Sequence, residues 1–374
     1  MPSKRFKVYL DKEPASSEWL ARILSITVDQ EVDHTWEALV TLPQCLGEDG
    51  SWIELETDIA YERIRIELQV GTDPWVPLID GPVVGYQTQL SSDPGRSQLV
   101  LRIHDDSALL NLTDVVNLSD GQSDSDIARL LFNSDLVNIT LEDITTLAAP
   151  AQPLEGAEVQ RGTNANFLRR LAERNALHAY VLPGEDVDSE SRGFFRSFPE
   201  STETPALDPL VLLGSNRNVM SFDVENDNQS AGEYQIQTLS LSDRGTFSST
   251  GSFQDETLLG GGQPDSPTPP ATRLPNPSAA TGVDADALAR AQSITSSYTY
   301  EATGQVYSGR YNDVLLPYQL ISVQAGATSL SGTYLIKRVR HVINRSDHTQ
   351  EFTVQRQVRT ELNPSVNDLA ASIF

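Results

Sequence analysis

Cysteine is all but absent from this 374-residue chain, whose single copy is Cys45. One thiol excludes an intramolecular disulfide and any cysteine-based zinc cluster; the state expected of it is a buried structural thiol. Basic charge is scarce as well, with 27 Lys+Arg against 52 Asp+Glu and a formal charge of -25. That balance excludes the cationic stripe a nucleic-acid surface requires and an electrostatic hold on anionic lipid. Neither a specific nucleic-acid partner nor direct membrane insertion is therefore expected. No apolar run approaches the ~20 residues that span a bilayer. The stretch Met1 to Leu10 is basic, but it alternates apolar and polar residues and does not read as a signal peptide. Assembly in the cytoplasm is the expectation.

Recognisable chemistry is missing too. There is no Gly-x-Ser-x-Gly, no phosphate-cradling glycine loop and no dinucleotide fingerprint. His34, His104, His178, His341 and His348 are scattered, and the last two are seven apart across an expected strand turn, which is not a zinc spacing. Asp186 to Glu190 begins like a calcium loop, but Ser191 stands where the glycine is required and no glutamate closes it. Trp19, Trp36, Trp52 and Trp75 could line a sugar site, although tryptophan more often serves a core or an interface. The chain reads as a structural or interaction protein: no enzyme, no cofactor, no metal, no catalytic residue.

What is present is β-pattern, interrupted once by helix-pattern. The first ~115 residues offer strand candidates at Ile23–Val28 and Ala38–Leu42. The clearest is Ile64–Val70, with Ile64, Ile66, Leu68 and Val70 facing a core and Arg65, Glu67 and Gln69 facing out. Leu78–Tyr86 follows, with a turn expected at Asp80-Gly81, then Gln98–Asp105. Between 116 and 204 the period changes. Ser123 caps a helix that carries Ile127, Leu130 and Leu131, with Asp126 three residues beyond the cap. A second helix starts at Thr163. Phe167, Leu168, Leu171 and Ala172 form its apolar stripe, and Asn175 is the expected left-handed terminator. Glu185–Gly193 reads as an exposed loop. Strand pattern returns at Val219–Glu225 and Tyr234–Leu241, and again within Gln305–Val358, where Tyr334–Val342 and Glu351–Arg356 are the best strands. A Gly- and Pro-rich stretch at about 258–282 cannot build a core and is expected to be an exposed, flexible loop. A helix is expected at Asp284–Ser297 with Leu288, Ala291 and Gln292 on one side.

The string Phe167-Leu168-Arg169-Arg170-Leu171-Ala172-Glu173-Arg174-Asn175, with Tyr180-Val181 after it, resembles the middle-domain signature of the late-control D type tail hub proteins. That family comprises the central hubs of contractile phage baseplates and the hub half of type VI secretion spike proteins. Four other places resemble its pattern in order: the hairpin around Gly81, the strand ending at Asp105, the helix start before Ile127, and the Gly332 to His341 strand with Tyr334 and His341 at its marked positions. One departure is Tyr318, which follows Pro317 where the family usually has glycine. The resemblance implies an α+β, mainly β fold. It has a tube-like β-barrel domain at 1–115, an α+β middle domain at 116–204, a second tube-like barrel at 205–360 and a tail at 361–374. It further implies a homotrimer that adapts the six-fold tail tube, or its initiator protein, to the three-fold spike within the baseplate wedges. The alternative is a tail-associated cell-wall hydrolase or a carbohydrate-binding module.

Overall fold

The computed structural model describes residues 4–93, 95–133, 139–147, 158–197, 204–227, 232–239, 246–252, 258–259, 272–273, 285–345 and 347–359. The expected flexible loop and the C-terminal tail lie almost wholly outside these. The first region runs β1 (Lys4–Leu10), β2 (Glu13–Pro14), α1 (Ser17–Arg22), β3 (Ser25–Glu31), β4 (Glu37–Pro43), α2 (Leu55–Asp58), β5 (Arg63–Val70), β6 (Val76–Gln89) and β7 (Gln98–His104). A 3-10 turn, Asp106–Asn111, leads into the middle region. That region holds β8 (Asp114–Ser119), α3 (Asp124–Phe132), β9 (Ile139–Ile144), β10 (Glu158–Thr163), α4 (Asn164–Glu173), β11 (His178–Leu182) and β12 (Ser191–Arg196). The last region holds β13 (Leu210–Val211), β14 (Val219–Asn226), β15 (Glu233–Leu239), β16 (Thr246–Gly251), β17 (Thr272–Arg273), α5 (Ala285–Ser296), β18 (Tyr300–Val306), β19 (Leu320–Gln324), β20 (Gly332–Asn344) and β21 (His348–Arg356).

The fold is mainly β, and its largest sheet has 13 strands. The two outer regions each enclose a core of their own, yet the ladder passes from one to the other without a break. The seam is β3 against β20, with Ile26 opposite Ile343 and Val28 opposite His341. Alternation assigns the faces. Ile26, Val28, Ala38, Val40, Leu99, Leu101 and Ile103 fill the first core, and Val339, Phe352, Val354 and Ala302 fill the second. The middle region has a third core, where Phe167, Leu168, Leu171 and Ala172 of α4 meet Ile127, Ala128 and Phe132 of α3 and Phe195 of β12. In the last region α5 packs through Ala285 and Ala289 on Ile236 of β15.

Four expectations are overturned here. Asp80-Gly81 is not a turn: both sit inside the 14-residue strand β6. That strand pairs with β5 up to Pro82 and with β7 from Val83 onward, so it passes from one partner to another at this point. Glycine is needed there for approach, not for a turn, since a Cβ at position 81 would lie 1.9 Å from the His104 carbonyl oxygen. Second, Arg65, Glu67 and Gln69 do not face solvent; all three are buried. The segment after β11 covers that side of β5, which makes it a strand buried on both faces. Third, Asn175 is not the left-handed residue. Ala176 takes that conformation, with φ 54, because the Asn175 amide is engaged, donating to Asp124 and to the Leu171 carbonyl. Ser191 to Gly193, read as loop, are the start of β12.

Candidate functional site: a three-way junction

Two clusters tie the three regions together. The first is built on β5. Arg65 points into the covering segment and donates to the backbone carbonyls of Gly184, Glu185 and Asp186 at 2.9, 3.0 and 3.1 Å. Its Nε donates to Glu67 at 2.8 Å and one Nη to Asp80 at 3.1 Å. Arg63 forms a fork on Asp106 at 2.7 and 2.8 Å and reaches Asp80 at 2.7 Å. Burial acts to lower the Arg63 pKa, but the Asp106 and Asp80 carboxylates hold it above its ordinary value. Ser191 donates to the same Asp106 at 2.6 Å, carrying the network to β12. Two arginines thus bind the first sheet to the middle region through planar, multi-donor geometry that lysine cannot reproduce.

The second cluster is aromatic. Tyr318, at the approach to β19, stacks on Tyr180 of β11 with ring centroids 3.6 Å apart, and Tyr180 stacks on Phe194 of β12 at 4.9 Å. The Tyr318 hydroxyl accepts from the Asp33 backbone N–H at 2.8 Å, and the Asp33 carboxylate meets His178 Nδ1 at the same distance. Asp33 belongs to the first region, His178 and Tyr180 to the middle, Tyr318 to the last. Tyr318 has φ 64, the left-handed conformation in which glycine is at ease. The departure noted in the sequence therefore falls on a position whose backbone favours glycine.

The signature residues stand in this frame. Gly81 packs against the backbone of His104 and Asp105. Asp105 is a clamp: its carboxylate accepts from the Trp36 N–H at 2.7 Å and the Ser107 N–H at 2.9 Å, and also from the Ser107 hydroxyl. Burial pushes its pKa up to about 7, against those hydrogen bonds. Ile127, Phe167, Leu168, Leu171 and Ala172 share the middle core. Tyr334 is in the last core, its hydroxyl donating to the Leu330 carbonyl at 2.9 Å. His341 is buried at the seam.

Sequence spacing kept His341 and His348 apart, but the β20–β21 hairpin stacks them, His341 Nδ1 lying 3.1 Å from His348 Nε2. His341 Nε2 faces the Leu315 carbonyl at 3.1 Å. Burial lowers the His341 pKa to about 3 and lowers that of His348 as well, so both rings are neutral. Lys4 of β1 donates to the His348 carbonyl at 3.1 Å; burial lowers its pKa to about 8 while Asp347 pulls the other way.

No family model matches the chain, and no curated protein matches it. Solved structures do. The 43 kDa tail protein of prophage MuSo2 from Shewanella oneidensis superposes with a TM-score of 0.62 at 14% identity, over 94% of this chain and 98% of that one. The tail protein from Neisseria meningitidis MC58 gives 0.61 at 12% identity, over 94% and 96%. This is a tail-protein fold. An E. coli component of the type VI secretion system, itself described as similar to the T4 tail proteins gp27 and gp5, gives 0.52 at 12% identity, over 91% and 77%.

The cavity between Asp33, Trp36, Asp105, Phe132, Leu168 and Tyr180 has a volume of about 30 Å³, the space of a single water and far below a ligand site. Among the described residues no group of three His, Cys, Asp or Glu side chains could hold a metal ion, and no helix is long and apolar enough to cross a membrane. Trp19 donates to Asp58 and Trp36 to the Glu31 carbonyl; both are buried in the core, not arrayed for a sugar. Cys45, expected inside, is exposed just beyond β4. The pattern of β4 ends at Pro43, so the thiol falls past the last core-facing position. The residues that sequence spacing missed are Arg63, Arg65, Asp106, Tyr180 and His348. The one available signal was the pair of arginines, Arg63 and Arg65, at alternate positions on the polar side of β5.

Proposed function

We propose that this chain is the central hub of a contractile phage-tail baseplate or a related injection system. In this reading it acts as a homotrimer between the six-fold tail tube, or its initiator, and the three-fold spike, with wedge components around it and the central channel within. The observation that carries the reading is a tail-protein likeness over 94% of the chain, joined to five hub-like motifs in family order. Two β regions in one ladder support the symmetry argument, because a trimer of such a chain presents six similar units to a six-fold neighbour. Large apolar side chains left in solvent support assembly: Val116 and Leu118 on β8 are 82% and 62% exposed, and soluble monomers seldom leave such a ribbon bare. The family-signature residues serve as structural anchors in this reading, and assembly takes place in the bacterial cytoplasm. Cryo-electron microscopy of the intact particle tests it. Three copies at the tube–spike boundary are expected; a position elsewhere in the tail, or a monomer there, ends the reading. A peptidoglycan zymogram, expected to show no clearing, tests the hydrolase alternative.

A further inference from the structure

The segment from Tyr311 to Tyr318 is a strap laid across two cores. Tyr311 and Leu315 are buried in the second core, while Val314, Leu316 and Tyr318 pack on the first. Few bonds hold its middle. The Leu315 N–H donates to the Gln350 carboxamide oxygen at 2.8 Å, and the Gln350 amide donates to the Asp313 carbonyl at 3.0 Å. The Leu315 carbonyl faces His341 Nε2 at 3.1 Å. The strap belongs to no strand, so no continuous ladder backs these bonds. At its far end Tyr318 makes the stack on Tyr180 that ties the last region to the middle one.

We propose that this strap is an acid-sensitive release: when the His341–His348 pair takes up a proton, the strap lifts and Tyr318 leaves the junction, while the cores stay folded. What carries the proposal is the order of hydrogens that the geometry imposes on the two rings. A carbonyl can only accept, so His341 carries its hydrogen on Nε2 and its Nδ1 is an acceptor. His348 Nε2, 3.1 Å from that Nδ1, must then be the donor. His348 Nδ1 is left bare, buried and without a hydrogen-bond partner among the described residues. Each bond fixes the next, and the chain has no place for a further hydrogen. A proton on His341 Nδ1 sets two N–H groups face to face. A proton on His348 Nδ1 buries a charged donor with nothing to accept it.

The surrounding charges oppose uptake in place. Lys4 of β1 donates to the His348 carbonyl at 3.1 Å, and its ammonium acts with burial to lower the pKa of both rings. The Asp347 carboxylate is already engaged by the His348 N–H at 2.8 Å and by the Ser308 hydroxyl. Asp313, on the strap, accepts from the Asp208 N–H at 2.7 Å. Arg345, just after β20, is held by the Ala21 and Ile23 carbonyls at 2.8 and 3.2 Å. Asp29, Arg340 and Glu351 alternate with Val28, His341 and Gln350 along their strands and stand on the other face of the sheet. Freed into water, an imidazole titrates near 6.5. Below that value the released form binds more protons than the closed one. The closed strap is therefore favoured above pH ~6.5 and lost as pH falls, its open population rising about tenfold per pH unit for each ring freed. All of these groups lie in one chain, so the release does not depend on the homotrimer.

Hydrogen–deuterium exchange of the full chain at pH ~6.5 and ~4.5, corrected for the intrinsic pH dependence of exchange, tests the release. Peptides covering 311–318 are expected to lose about a hundredfold of their protection over that interval for each ring freed, while peptides of β4 and β7 keep theirs. His348→Gln leaves an amide that can still donate to His341, and is expected to cut the loss to what His341 alone gives, about half on a logarithmic scale. Lys4→Met removes the opposing charge, lets the rings accept a proton in place, and is expected to move the release to lower pH. Protection of 311–318 that does not change with pH, or that falls in step with β4 and β7, overturns the strap. An unchanged pH profile in His348→Gln overturns it too. Should that variant fail to fold, an unchanged profile in Lys4→Met does the same.

Discussion

Tyr318 occupies a backbone conformation that disfavours a large side chain by about 1–2 kcal/mol. The fold holds it there because its ring stacks on Tyr180 at the junction and its hydroxyl accepts from the Asp33 N–H. The stacked histidines pose a different problem, of charge. Their folded pKa values are depressed by burial below the ordinary value of 6.5. Between that value and about 3, the unfolded chain binds more protons than the folded one. The stability they contribute is thus present above pH ~6.5 and lost as pH falls, by about 1.4 kcal/mol per pH unit for each ring. Denaturation curves from pH 7 to pH 4.5 are expected to show this decline, and His348→Gln to flatten it. A slope unchanged in that variant would place the acid sensitivity elsewhere.

At the scale of elements, α4 shows how local code and tertiary packing agree. Thr163 accepts from the Asn166 N–H at 3.3 Å, capping the helix. Its apolar stripe is buried, and Arg174 and Asn175 both bind Asp124 at the start of α3. Leu171 has no accessible surface. Leu171→Asp buries a charge with no partner and is expected to destabilise the middle region by about 4 kcal/mol or more. Limited proteolysis should then cut between β8 and β12 while the large sheet stays protected; an intact middle region at wild-type yield would refute the placement. Strand β5 makes the opposite point. Its alternation pattern predicts one buried face, and both are buried, because alternation cannot report what a distant segment lays over the polar side. The guanidinium of Arg65 is tolerated there only because five acceptors meet it.

The large sheet carries the first and second cores on one side and a mixed-charge polar face on the other, and the middle region holds a third core of its own. On that face Glu37, Glu301, Asp29 and Glu351 pair with Arg102, Lys337, Arg338 and Arg340. If copies assemble through the exposed β8 ribbon, association is linked to folding. The melting temperature should then rise with protein concentration over a hundredfold range. A concentration-independent melt of a monomer would count against assembly by this chain alone.

By itself the sequence determined the elements whose signals are local: the β character of both outer regions, the caps of α3 and α4, and the apolar stripes that fill the middle core. It also determined what is missing, since composition needs no coordinates. Only the tertiary structure decided the rest. Gly81 reads as a turn residue until the His104 carbonyl is seen against it. His341 and His348 are scattered until a hairpin stacks them. Arg65 is an outward residue until a loop more than a hundred positions away closes over it. Single-chain pattern reports which side of an element prefers oil. It does not report which remote backbone arrives to satisfy a buried charge, nor that two separate β regions share one ladder, because those depend on contacts between residues far apart in the chain.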